Sequence, residues 1–154
     1  VLHAGLVVGL GRVSAPVLCK LPRDADGYMG RLRCVQEISA VTAACMMVKT
    51  SVFKAVGGFD EELKVAFNDI DLCMKVRKYG VKIVFTPYAE LYHYESKSRG
   101  MEDTPEKQLR FSREVNCFRR KWERELLKGD PYYNPNLTLN NTDCSLRKQE
   151  KNGD

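Results

Sequence analysis

Three short stretches decide how this chain reads: Gly57-Gly58-Phe59-Asp60-Glu61, then Asn68-Asp69-Ile70-Asp71-Leu72-Cys73, then His93-Tyr94-Glu95-Ser96-Lys97-Ser98-Arg99-Gly100. Asn68 is a good N-cap, since its short side chain can accept from a free backbone N–H of the first turn. The helix it would start carries Leu72, Cys73, Val76 and Tyr79 on one face at helical spacing, and Gly80 would end it. Asp69 and Asp71 fall in its first turn, near the positive end of the helix dipole. Such acids are often there only to favour the helix. Val81 to Phe85 reads as a strand, Thr86-Pro87 breaks it, and Tyr88 to Tyr94 alternates like another. His93 then shares a face with Ala89 and Leu91. Serines and cations on a glycine-ended loop suit a diphosphate, although a solvated turn has the same composition.

Upstream, Thr50 or Ser51 can cap a short helix running through Val56, which Gly57 or Gly58 would end. Phe59 reads as a core plug. Residues 38–48 are almost continuously apolar and read as a buried strand or two with a bend. Residues 2–10 form a short apolar run that reads as a strand. Gly9-Leu10-Gly11 followed by Ser14 nearly spells a dinucleotide fingerprint, but the third glycine is missing and Pro16 stands where the helix should start. Residues 12–37 read as a long loop with a short helix near Tyr28 to Arg33. Asp24-Ala25-Asp26 follows Pro22-Arg23 rather than a buried strand, so it reads as a solvated turn.

Downstream, Thr104-Pro105-Glu106 opens the longest helix, with a cap, a proline at the first helical position and an acid after it. Phe111, Val115, Phe118, Trp122 and Leu126 make one apolar stripe, and Gly129 and Pro131 end the helix near Lys128. Arg113, Arg119, Arg120, Lys121 and Arg124 leave the outer face basic, diluted by Glu114, Glu123 and Glu125. Asp130 to Thr138 is an aromatic turn segment, and residues 140–154 read as a frayed polar tail. Two glycosylation sequons lie at Asn136 and Asn140; without a secretory signal they read as coincidence.

The 154 residues suffice for one domain with a real core. A net charge of +5 permits an anionic ligand but does not demand nucleic acid. Six cysteines form no Cys-x-x-Cys pair, so a thiolate zinc site is not expected. Cys45 and Cys73 sit in apolar patterns and read as small hydrophobes. No apolar run reaches the ~20 residues of a membrane-spanning helix. Together these features read as a reduced, cytoplasmic protein, with the inner membrane face as a place of peripheral work.

Transfer of a sugar from a nucleotide diphosphate needs a base for the acceptor hydroxyl. It needs positive charge for the leaving diphosphate and a pocket that aligns both sugars. From about Val1 to Leu139 the chain resembles the C-terminal half of the inverting family 2 glycosyltransferases, which have the GT-A fold. The resemblance rests on His3-Ala4-Gly5, Ala40-Val41-Thr42-Ala43-Ala44-Cys45 and the three stretches quoted first. Asp130-Pro131-Tyr132-Tyr133-Asn134-Pro135 adds to it. It implies an α/β domain with a mixed sheet and flanking helices. It makes Asp69 the general base of a single in-line displacement, with Asn68 where that family more often has Glu. Asp71 becomes an acceptor-orienting or supporting residue, and Thr42 and Asp60 line the acceptor and donor-sugar side. His93 falls where related enzymes ligate Mn²⁺ or Mg²⁺, and Ser96, Lys97 and Arg99 fall on the loop that closes over the diphosphate.

The family's upstream nucleotide-binding half, with its Asp-x-Asp metal motif, has no counterpart here. The resemblance therefore implies a nucleotide-diphosphate sugar and a glycan acceptor as partners of a complete enzyme. It implies weak or no activity for this chain alone, and self-association through the face left by the missing half. Two other readings use the same residues. In one, the basic terminal helix makes a binding module for nucleic acid or an anionic surface, recognisable by steep salt dependence. In the other, a catalytically dead fragment holds glycans and is indifferent to Asp69→Asn.

Overall fold

The computed structural model describes residues 4–94 and 103–148. The architecture is mixed α/β with very short strands. Strand β1 (Leu6–Val8) pairs antiparallel with β2 (Ser14–Pro16). The hairpin turns through a 3-10 segment at Leu10–Arg12, where Gly9 and Gly11 both adopt positive φ. This tight hairpin takes the place of a nucleotide-binding strand–helix turn, as the missing third glycine foretold. Strand β3 (Gln36–Glu37) pairs antiparallel with β4 (Val84–Phe85), so the described sheet is two separate ribbons rather than one layer.

Helix α1 (Thr50–Ala55) is followed by Val56, Gly57 and Gly58. The Gly58 N–H returns to the Phe53 carbonyl at 2.9 Å, closing the helix end with both glycines at positive φ. Its N-cap position is Lys49, one residue before the predicted Thr50. Helix α2 (Asn68–Lys78) follows, then α3 (Pro105–Lys121) and α4 (Glu123–Lys128). Thr104 caps α3 as its sequence predicts, its Oγ1 accepting from the Lys107 N–H at 3.4 Å. The single terminal helix expected from the apolar stripe breaks at Trp122 (φ −116°, ψ 22°), giving α3 and α4.

Two apolar clusters sandwich β1. Leu6 and Val8 point to the cluster formed with Leu63, Ile70, Cys73, Met74, Phe118 and Trp122. Val7 points the other way, to Leu10, Val17, Leu18, Tyr133, Leu137 and Cys144. A strand covered on both faces must be apolar at consecutive positions, which is why Leu6-Val7-Val8 shows no alternation.

Several expectations are corrected. Phe59 is half exposed and lies edge-on to Phe53, with ring centroids 5.5 Å apart, instead of plugging the core. Residues 38–48 do not form the predicted buried strands. Ala40 makes one antiparallel bridge to Leu6, and Thr42 then turns the chain into a 3-10 segment at Ala43–Cys45 by accepting from the Ala44 N–H. Cys45 and Met47 are consequently exposed. Residues 88–94 form no strand, and Tyr88, Leu91, Tyr92 and Tyr94 are exposed. Pro87 cannot donate to a ladder, and no described strand lies alongside to pair with them. The segment expected to be a frayed tail is tied down through residue 147. The Thr138 N–H donates to the Ser145 carbonyl, Arg147 N–H to Asn136, and Leu18 N–H to Thr142, while Cys144 is buried.

Candidate functional site

Everything in the candidate site hangs from the start of α2. Phe67, not Asn68, occupies the N-cap position, in the left-handed region (φ 64°), and no side chain caps the helix there. Asn68 is the first helical residue instead. The chain can take this strained entry because a buried acid from another helix holds the loop before it. Glu114 of α3 accepts from the Val65 N–H at 3.2 Å and the Ala66 N–H at 2.8 Å. Sequence alone placed Glu114 on the exposed face of its helix; it is buried and does not dilute the basic surface.

Asp69 is half-buried and bridges two segments. Its Oδ1 accepts from the Ile70 N–H at 2.8 Å and its Oδ2 from the Ala43 N–H at 3.1 Å. The second bond brings the Thr42 turn onto the start of α2, joining two residues predicted to share a site. Each carboxylate oxygen then holds one backbone N–H, which fixes the side chain and leaves lone pairs for a further donor.

Asp71 has a different environment. It is fully buried, with no side-chain surface open to solvent. Its Oδ1 accepts from the Trp122 indole N–H at 2.8 Å and lies 2.8 Å from Lys121 Nζ. Its Oδ2 faces Lys75 Nζ at 3.2 Å, within ion-pair distance but without hydrogen-bond geometry. Lys121 also reaches Asp60 Oδ2 at 2.5 Å, and Lys75 reaches the Gly58 carbonyl at 2.5 Å. Asp60 and Asp71 are thus tied by one shared lysine, Lys121, which arrives from α3. A buried carboxylate needs such partners, because an uncompensated one costs several kcal/mol. Hydrogen bonding from Lys121, and then from the Glu62 N–H, holds the Asp60 carboxyl below its ordinary value.

Burial pushes the Cys73 thiol up to about 11, so it is a core residue rather than a nucleophile. His93 is exposed. Among the described residues no group of three or more His, Cys, Asp or Glu side chains could hold a metal ion. His93 alone does not make a metal centre. Ser96, Lys97 and Arg99 lie outside the described residues.

The sequence missed Lys75, Lys121, Trp122 and Glu114 as parts of this site. Lys75 was findable, four residues after Asp71 on the same helix face. The Asp71–Trp122 bond spans 51 positions and leaves no local signal.

Comparison with known proteins adds the following. The chain is 54% identical over 145 residues to an uncharacterized protein, y4gI, of Sinorhizobium fredii, covering 94% of this chain and 16% of that protein. It is 36% identical over 153 residues to the O-antigen biosynthesis protein RfbC of Myxococcus xanthus, covering 99% of this chain and 12% of that one. Over 62 residues, 40% of this chain and 20% of the relative, it is 36% identical to an N-acetylglucosaminyl-diphospho-decaprenol L-rhamnosyltransferase of Mycobacterium tuberculosis. The chain therefore spans a fifth or less of the length of these curated relatives. No family model and no solved structure matches it. One of these relatives is thus named for O-antigen biosynthesis and another as a rhamnosyltransferase. No helix among the described residues is long and apolar enough to cross a membrane.

Proposed function

We propose that this chain is the acceptor-side, C-terminal half of an inverting family 2 glycosyltransferase with the GT-A fold. It would transfer a sugar from a nucleotide-diphosphate donor to a glycan acceptor. The observation that carries this reading is the Asp69 carboxylate. It is held between the Thr42 turn and the start of α2 by one backbone N–H on each oxygen. The similarity to an O-antigen biosynthesis protein and a rhamnosyltransferase supports the substrate class.

In this mechanism the acceptor hydroxyl attacks the anomeric carbon of the donor. Asp69 takes its proton as the new C–O bond forms, the bond to the diphosphate breaks on the opposite face, and the nucleotide diphosphate leaves. Asp71 acts through position: bonded to Trp122 and facing Lys75 and Lys121, it fixes the first turn of α2 against α3. Asp60 belongs to the same lysine-linked group. Asn68 begins the helix beside the base. The loop carrying Ser96, Lys97 and Arg99 would close over the diphosphate. Mn²⁺ or Mg²⁺, held with His93 as one ligand, would offset charge on the leaving diphosphate.

The test is Asp69→Asn in the natural protein that carries this sequence. General-base catalysis typically contributes 10²–10⁴-fold. Transfer is expected to fall by about that factor while circular dichroism keeps the folded spectrum and the melt drops only by the one backbone hydrogen bond that an amide cannot accept, about 1 kcal/mol. Turnover at the parent rate would remove Asp69 from the role of base.

A further inference from the structure

The opposite end of α2 borders an open cleft of about 530 Å³. Its cations come from three separate elements: Arg77 and Lys78 from the last turn of α2, Lys82 just before β4, and Lys128 from the end of α4. Tyr132 supplies aromatic surface with the buried Trp122 ring behind it, and among the described residues the only acid lining the cleft is Glu125. Basic residues in the last turn of a helix are ordinary, since they complement its dipole. The dipole does not explain why two such helix ends and a third basic position converge on one concavity.

Two of the four cations are already engaged. Lys82 pairs with Glu37, while Arg77 donates to Ser39 Oγ at 3.1 Å and lies 5.4 Å from the centre of the Tyr132 ring. Lys78 sits 5.9 Å from the centre of the Trp122 ring, and Lys128 is exposed; neither has a carboxylate within 4 Å among the described residues. Lys78 and Lys128 are thus available, Arg77 is pre-oriented on an aromatic ring, and the net lining charge is strongly positive. Such a concavity focuses the field on an anion. Phosphate oxygens, carrying more than one charge and several acceptors, suit several converging donors better than a single carboxylate does.

We propose that this cleft is a second binding site, taking a phosphate or diphosphate ester. It is separate from the transferase reading. Asp69 and Lys78 lie at opposite ends of α2, roughly 13 Å apart along the axis at 1.5 Å per residue. Trp122 touches both, its indole N–H on Asp71 and its ring lining the cleft, so the test substitutes cations of the cleft that contact neither Asp69 nor Asp71.

Trp122 is the only tryptophan in the chain and lines the cleft, so its fluorescence reports occupancy directly. The intact chain is titrated with pyrophosphate at fixed ionic strength, with sodium chloride as the matched control. A saturable change absent with chloride is expected. Lys128→Glu and Lys78→Glu should each weaken it tenfold or more, and Lys49→Glu, outside the cleft, should leave it unchanged. Calorimetry on the same samples covers the Lys78 variant, whose substitution also alters the tryptophan's surroundings. Should Lys78→Glu prevent folding, Lys128→Glu at an exposed helix end carries the comparison. A parallel arm sediments the chain with phosphatidylcholine vesicles containing phosphatidic acid. Binding there that Lys128→Glu removes, without a pyrophosphate response, identifies a lipid-borne phosphate. A pyrophosphate response without vesicle binding identifies a free one. No response in either arm, or equal affinity in Lys128→Glu, overturns the proposal.

Discussion

Asp60 and Asp71 share Lys121, yet one is partly exposed and the other is sealed. That difference decides what each contributes. Asp60 has its carboxyl lowered in the fold, first by the Lys121 hydrogen bond and then by the Glu62 N–H. A carboxyl lowered on folding adds stability that is fully present above its unfolded value of about 3.9 and is lost as pH falls through the lower folded value. Lys121 is raised: burial pulls it down, but its hydrogen bonds to Asp60 and Asp71 outweigh that. Its share is present below the unfolded lysine value and is lost only at strongly alkaline pH. The pair is therefore at full strength across the neutral range. Asp60→Asn is expected to lower the melting temperature at pH 7, and the gap from the parent should close as pH falls from about 5 to about 2. Melts across that range check it; a gap that is constant with pH would mean Asp60 contributes by shape alone. At this scale the sequence showed the acids but not their partners. Lys75 stands one helical turn from Asp71, whereas Lys121 and Trp122 arrive from another helix.

Helix α2 depends on α3 through one side chain. Glu114 satisfies the Val65 and Ala66 N–H groups just before Phe67 takes its left-handed turn into the helix. Removing the carboxylate leaves two backbone donors without their partner in a half-buried loop. Glu114→Ala is expected to cost about 2 kcal/mol, or roughly 4–8 °C in Tm for a chain of this size. Glu114→Gln should recover part of that. An alanine variant melting with the parent would show that water replaces Glu114 fully. Helices were the legible elements. The Thr104 cap, the glycines after Val56 and after Tyr79, and the apolar positions Leu72, Cys73 and Val76 are local signals, and the structure follows them. Strands were legible only in part: residues 2–10 hold β1 and residues 81–85 hold β4, whereas apolar residues at 38–48 and 88–94 state a preference for burial without stating what would bury them. Thr42 and Pro87 settle those segments as turns and extended chain. The Asp69–Ala43 bond came out as a contact between two predicted site segments, while the tie between Asp71 and Trp122 depended on how α2 and α3 cross.

For the whole molecule, the exposed run Tyr88, Leu91, Tyr92 and Tyr94 is an unusual amount of aromatic surface. In the transferase reading this face meets the remainder of the enzyme, consistent with relatives of which this chain spans a fifth or less. In isolation a second copy is the available cover, so light scattering should give at least a dimer at micromolar concentration. Replacing Tyr88 and Tyr92 by Ser should shift it to the monomer; a monomeric parent would count against that face as an interface. The seam between the β1–β2 hairpin and residues 130–144 has a further consequence. Val8 N–H donates to Asp130 across 122 positions, Gly11 N–H to Leu139, and Leu18 N–H to Thr142, while Tyr133, Leu137 and Cys144 complete the cluster under Val7. During synthesis the β1–β2 hairpin therefore lacks these partners until residues 130–144 emerge, 122 positions later for the Val8–Asp130 bond. Contacts of such separation are closed late and slowly, and until then Leu6-Val7-Val8 stands uncovered, open to chaperones or to the same segment of a neighbouring nascent chain.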